Sequence, residues 1–150
     1  MSEQNAAIVR KGYEDFAQGN IPAVFAVFDR EITCHVPGRG LLSGDYTGHT
    51  AIGDFFRRTM ELSGGTFRMD VHNVLADDDV VVVLLTIHAQ RNGVSASFSE
   101  VHVWRIKNGK VTEFYEYQGD EQQEDRFWLR PTRAEGSDQY TSPNKRAARQ

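Results

Sequence analysis

Residues 80–118 read VVVVLLTIHAQRNGVSASFSEVHVWRIKNGKVTEFYEYQ, and this stretch decides the fold. Two Asn-Gly pairs, Asn92-Gly93 and Asn108-Gly109, punctuate it. Such pairs favour the tight turns that join antiparallel strands. They divide the stretch into extended runs over 80–90, 95–107 and 110–118. Upstream, Asp77-Asp78-Asp79 separates these from a fourth run over 66–75. The pattern predicts a long antiparallel meander.

Which face of that sheet is buried depends on register, because a slip of one residue exchanges the two faces. Read as a two-residue loop, the first turn sets Ala89 opposite Ala96, Ile87 opposite Phe98 and Leu85 opposite Glu100. The second turn admits two readings: a two-residue loop pairing Ile106 with Val111, or a three-residue loop with a glycine bulge pairing Ile106 with Lys110. Composition favours the bulge. One face then collects Val81, Val83, Leu85, Ile87, Ala89, Ala96, Phe98, Trp104, Ile106 and Phe114. The other collects Thr86, His88, Gln90, Ser95, Ser97, Ser99, Arg105 and Glu113. Three ionisable residues, Glu100, His102 and Glu116, stand among the apolar set, with Glu100 across from Glu116 and His102 across from Phe114. A carboxylate in an apolar wall must be paired, hydrogen-bonded or raised in pKa.

Before the meander the apolar spacing is helical. Ile8, Val9, Tyr13, Phe16 and Ala17 mark a first helix stopped by Gly19-Asn20. Pro22 opens a second, with Val24, Phe25, Val27 and Phe28 as its apolar face. Residues 31–36 read as a short strand ended by Pro37-Gly38, and the glycine-rich segment over 39–47 as a loop carrying another. Thr50 is expected to cap a third helix with Ile52, Phe55, Phe56 and Met60, ended by Gly64-Gly65. Helices first and a meander afterwards predict an α+β fold. One domain over 1–130 is expected, followed by a polar tail over 131–150 that serves as an extension or an arm on a partner subunit.

Composition bounds the function. In 150 residues, 17 Lys+Arg against 21 Asp+Glu give a formal charge of −4, which leaves no basic surplus for nucleic-acid phosphates. The single cysteine, Cys34, excludes an internal disulfide and a cysteine-rich zinc site. No apolar run is long enough to cross a bilayer. The opening Met1-Ser2-Glu3-Gln4-Asn5 lacks the basic flank and apolar core of a secretory signal, so a cytoplasmic protein is expected.

The chain resembles the SnoaL-like branch of the superfamily of nuclear transport factor 2 and ketosteroid isomerase (NTF2-like). Its helix–helix–strand order carries the resemblance, with His35-Val36-Pro37-Gly38, Ser43-Gly44-Asp45-Tyr46-Thr47-Gly48, and the ending Gly109-Lys110-Val111-Thr112-Glu113-Phe114-Tyr115-Glu116-Tyr117. The resemblance implies a cone in which three helices pack on a strongly curved mixed or antiparallel sheet around an apolar pocket. It covers isomerases, cyclases, hydroxylases, epoxide hydrolases and non-catalytic modules, and does not choose among them. By this match Glu116 is the pocket acid of the last strand, His35 a polar pocket position on the first strand, and Thr33 shares its face. Val83 and Leu85 stand where limonene epoxide hydrolase has an arginine and an aspartate, so that water-activating triad is absent. Phe114 stands where cyclases often carry histidine.

The expected function is cofactor-independent acid/base chemistry of isomerase, cyclase or hydratase type on a small, largely apolar or aromatic molecule. Glu116 would be the general acid or base, His102 and Glu100 its tuning partners, and His35 a polariser or second acid. Thr33, Tyr13, Phe98, Trp104 and Phe114 are expected to contact the ligand. Arg39 is expected at the mouth, closing over an anionic group or holding a surface salt bridge. No metal spacing is diagnostic, and no metal is expected. The alternative is a small-molecule-binding or dimerisation module without chemistry. The acidic run Asp120-Glu121, Glu124-Asp125 reads as a solvated face, and Phe127-Trp128 as a cover for the pocket or a docking element. Val101, Val103, Tyr115 and Tyr117 form an apolar stripe on the outer face, which predicts a homodimer.

Overall fold

The computed structural model describes residues 2–129, so the tail expected over 131–150 lies outside the described residues. Helix α1 (Ser2–Ala17) is followed by a short α2 (Ile21–Ala26), whose first turn is capped by the Asn20 side chain accepting from the Ala23 N–H. Strand β1 (Phe28–Val36) begins earlier than its polar residues suggest and takes in Phe28, which the helical spacing had given to α2. After β2 (Gly44–Thr47) comes α3 (Gly48–Leu62). Its N-cap is Thr47, whose side chain makes no capping bond, and Thr50 already lies inside the helix. The meander follows as β3 (Arg68–Ala76), β4 (Val80–Arg91), β5 (Val94–Lys107) and β6 (Lys110–Gln118). A further helix, α4 (Glu121–Leu129), closes the described chain where a solvated acidic run was expected.

The strands form one sheet in the order β2-β1-β6-β5-β4-β3. All neighbours are antiparallel except β1 and β6, which run parallel. The fold is therefore α+β with a mixed sheet. On one face of the sheet Ile32, Cys34, Val81, Val83, Leu85, Ile87, Phe98 and Phe114 are buried, and with Val9, Val24 and Ile52 from the helices they form the core. Tyr117, on the opposite face, is 55% exposed, and Val101, Val103 and Tyr115 beside it are half-buried.

The β4–β5 register is the expected one: Ala89 opposite Ala96, Ile87 opposite Phe98 and Leu85 opposite Glu100. The β5–β6 register has the two-residue reading of the second turn and corrects the three-residue loop that composition favoured. The turn itself is a two-residue loop with Asn108 at φ 52° and Gly109 at φ 77°, pairing Lys107 with Lys110 and Ile106 with Val111. The bulge exists, but it lies inside the ladder. Arg105 pairs with Glu113, so Thr112 is the extra residue. Beyond it His102 faces Glu116, Trp104 faces Phe114 and Glu100 faces Gln118. The inward set is the expected set, while its cross-strand pairs move by two residues.

Asn108 and Gly109 both take the left-handed backbone that a type I′ turn requires. A Cβ on Gly109 would meet nothing within 4 Å, so only backbone strain opposes a side chain there. Gly109→Ala is therefore expected to cost about 1–2 kcal/mol, read as a lower urea midpoint with unchanged slope.

Candidate active site

The inner face of the sheet, α1, α2, α3 and α4 enclose a cavity of about 110 Å³. Its walls are mainly apolar, among them Phe16, Val24, Phe28, Phe55, Phe56 and Met69. Polar side chains gather at Glu100, His102, Glu116, Gln118, Glu124 and Asp125.

The β5–β6 register assembles this cluster. Glu100, His102 and Trp104 alternate inward along β5, opposite Gln118, Glu116 and Phe114 on β6. One atom each from Glu100, His102 and Glu116 lies within 4.8 Å of the others. Helix α1 brings Tyr13 against them. Trp104 Nε1–H donates to Tyr13 Oη at 3.0 Å, and Tyr13 Oη lies 2.6 Å from His102 Nδ1. His102 Nε2 lies 2.8 Å from Glu100 Oε1.

The direction of this chain follows from what each group can do. An indole nitrogen only donates, so Tyr13 Oη accepts from Trp104 and gives its own proton to His102 Nδ1. Nδ1 is then an acceptor, and Nε2 carries the hydrogen donated to Glu100. The imidazole is neutral, in keeping with burial, which pushes it down to about 4 against the opposing pull of the Glu116 charge. Burial, then the Glu116 charge, raises the Glu100 carboxyl well above its ordinary range. Burial and the hydrogen bond to Glu100 push Glu124 up to about 11. Burial thus works against charge on His102 and on the Glu100 and Glu124 carboxyls alike.

Glu116 is half-buried, and its Oε2 accepts from Gln118 Nε2 at 2.7 Å. Glu124 enters from α4, which Asp120 caps by accepting the Gln123 N–H at 3.0 Å. Glu124 is 2% exposed, on the same helical face as Phe127 and Trp128. The neighbouring Asp125 Oδ1 accepts the Arg39 backbone N–H at 2.9 Å, which pins α4 to the loop after β1. Gly38, at φ 94°, allows this approach, since a Cβ there would collide with the same oxygen.

Of the residues expected at the site, the structure brings together Glu116, His102, Glu100, Tyr13, Trp104 and Phe114. It does not bring His35 or Thr33. Parallel pairing sets His35 beside Tyr115 and Thr33 beside Glu113, all on the outer face. Thr33 bonds to Thr47 there, and Cys34 takes the inward position, its thiol pushed up to about 12 by burial. Phe98 lies in the core against Phe127 instead of lining the cavity. Arg39 is exposed, and its contribution is its backbone N–H. Glu124, Gln118 and Asp125 were not expected to line the cavity, whereas one of the two roles expected of Phe127-Trp128, covering the pocket, is filled by Trp128. The capping pattern Asp120-Glu121-Gln122-Gln123, followed by Glu124, Phe127 and Trp128 at helical spacing, carried a signal for Glu124 and Trp128.

A SnoaL-like domain model matches residues 9–114 of this chain. The chain belongs to the SnoaL-like domain family. Bal32a, from a soil-derived mobile gene cassette, is 35% identical over 85% of this chain and 98% of its own, with a TM-score of 0.81. An NTF2-like protein of Burkholderia pseudomallei K96243 is 28% identical over 87% of this chain and 100% of its own, with a TM-score of 0.77. TerC, co-crystallised with polyporic acid, shares the fold at 21% identity, covering 85% and 99% of the two chains with a TM-score of 0.76. Like them, this SnoaL-like domain has the NTF2-like fold. Among its described residues no helix is long and apolar enough to cross a membrane.

On the outer face His35 Nδ1 lies 2.9 Å from Asp45 Oδ1 and Nε2 lies 2.8 Å from Glu113 Oε2. Ionised carboxylates only accept, so both ring nitrogens donate and the ring is cationic. Its pKa is raised, chiefly by Glu113, and that of Glu113 is lowered, chiefly by His35. A raised histidine pKa stabilises fully below the unfolded value near ~6.5 and is lost as pH rises through the folded value. The lowered Glu113 value acts in the opposite sense, being lost as pH falls through it. His35→Asn should therefore lower the melting temperature more at about pH 5.5 than at about pH 8.5. A second expectation concerns Tyr13→Phe, which strips partners from the Trp104 N–H and His102 Nδ1. It should cost about 1–3 kcal/mol in denaturant unfolding, because a buried polar group is left unpaired.

Proposed function

We propose that this SnoaL-like domain moves protons on a small, largely apolar molecule held in the cone, without a cofactor. Glu116 acts as the general base or acid, and Glu100 and His102 tune it. The observation that carries this reading is the one-way chain from Trp104 through Tyr13 and His102 to Glu100, ending at carboxyl groups beside an apolar cavity. Proton transfer needs an acceptor and a donor in the same water-poor space. Two of the three glutamates have environments that keep them protonated, so a proton taken at one position of a substrate can be returned at another. Gln118 orients Glu116 through a neutral amide and adds no charge. Tyr13 and His102 are positioning residues that act through Glu100. That TerC was crystallised with polyporic acid supports a small organic occupant for this fold.

A substrate-independent assay tests the reading. Cyclic ketones of about one ring, incubated with the protein in heavy water, should gain deuterium next to the carbonyl faster than without it, followed by NMR. Glu116→Gln preserves volume and should slow that exchange by about a hundredfold to ten-thousandfold, with little change in ketone binding. Equal exchange by the variant and the parent would leave a non-catalytic carrier in its place.

A further inference from the structure

One end of the cavity holds oxygen atoms with no donor. Glu124 is 2% exposed and lines the cavity, and its Oε2 has no hydrogen-bond partner among the described residues. Gln118 commits its amide nitrogen to Glu116, so its Oε1 is the atom left buried and unpartnered. The acceptor-only Glu116 carboxylate fixes that amide orientation. Both oxygens sit among groups that are acidic or neutral. Among the described residues no lysine or arginine lines the cavity, while Glu100, Glu116, Glu124 and Asp125 do.

Each ligand class meets this end differently. An anion finds carboxyl groups and no cation. A neutral alcohol brings one donor to two waiting oxygens. An ammonium brings three N–H donors, and its positive charge favours ionisation of the Glu124 carboxyl, which burial otherwise holds neutral and which a glutamine could not match. The rings of Tyr13, Trp104 and Phe114 line the same cavity, with Trp104 and Phe114 two cross-strand pairs along from Gln118, on the side where an apolar body would lie. The volume sets the size of the apolar body. About 110 Å³ is of the order of the roughly 150 Å³ engineered cavity that takes up benzene.

We propose that the cavity takes a small primary amine with a single-ring apolar body, its ammonium donating to Glu124, Gln118 and Glu116. This assignment rests on the proposed function's reading of the cavity as a ligand site, and names the class of ligand.

Isothermal titration of the full chain with 2-phenylethylamine, 2-phenylethanol, phenylacetate and, separately, zinc chloride tests it. The amine should bind at least about tenfold more tightly than the alcohol, and phenylacetate should not bind. Glu124→Gln should bring the amine to within about threefold of the alcohol and leave alcohol binding unchanged. If that variant does not fold, the half-buried Glu116→Gln serves in its place with the same expectation. An amine preference below about tenfold, or tighter binding of phenylacetate, overturns the amine assignment and leaves the ligand site standing. No binding of any organic probe at millimolar concentration overturns both. Zinc bound more tightly than the amine, and lost in Glu116→Gln, overturns the assignment in favour of a metal site.

Discussion

The extra residue at Thr112 is the constraint on which the rest of the site depends. Val111 is 1% exposed and faces the core, so strict alternation from it would send Glu113, Tyr115 and Tyr117 inward. The bulge between the Ile106–Val111 and Arg105–Glu113 pairs reverses that parity. Phe114, Glu116 and Gln118 then face the cavity, and Glu113 and Tyr115 are left outside to hold His35. A single inserted residue thus separates the acidic inner cluster from a charged outer one. It also lets a tight two-residue turn coexist with an inward face that the turn alone would not give.

The inner cluster is stable only because its hydrogen bonds run one way. Trp104 cannot accept, which makes Tyr13 a donor to His102, which in turn makes His102 a donor to Glu100. An imidazolium would donate from both nitrogens, and the Tyr13 O–H would then lose His102 Nδ1 as its acceptor. The neutral ring therefore follows from connectivity as well as from burial. Among the described residues no lysine or arginine lines the cavity to balance them, and burial favours the protonated form of the Glu100 and Glu124 carboxyls. The same arrangement that makes the cluster tolerable in an apolar wall equips it to give and receive protons.

Much of this was legible in the sequence, and the exceptions have physical causes. The Asn-Gly turns and the β4–β5 register follow from local turn chemistry, so they could be read directly. The β5–β6 bulge could be inferred from the need to keep two faces chemically distinct, but its position could not. A three-residue loop and a two-residue loop followed by a bulge give the same parity, and only pairing energies along the ladder separate them. His35 was misplaced for a different reason. Ile32, Cys34 and Val36 alternate as plainly as any strand in the chain, which puts His35 outside, against the pocket position that the family resemblance implies for it. Glu124 escaped because charge suggested solvent, whereas its spacing with Phe127 and Trp128 places it on the buried face of a capped helix.

The family match ends at residue 114, and the distribution of chemistry around that boundary matters. The matched part supplies the helices, the apolar walls, and the chain from Tyr13 to Glu100. Glu116, Gln118, Glu124, Asp125 and Trp128 all lie beyond it, and they make up most of the polar end of the cavity. Helix α4 is held over that end by the Arg39 N–H bond to Asp125, beside a glycine whose missing side chain permits the contact, and by burial of Phe127 and Trp128 in the core. The cone is thus set by what the chain shares with its family. The polar end of the cavity is completed by the segment that follows, where Glu116 holds the position the resemblance gives to a pocket acid and α4 adds Glu124. Two chains with the same walls and different α4 sequences would present different donors, acceptors and charge to the same apolar volume, and would select different ligands without any change of fold.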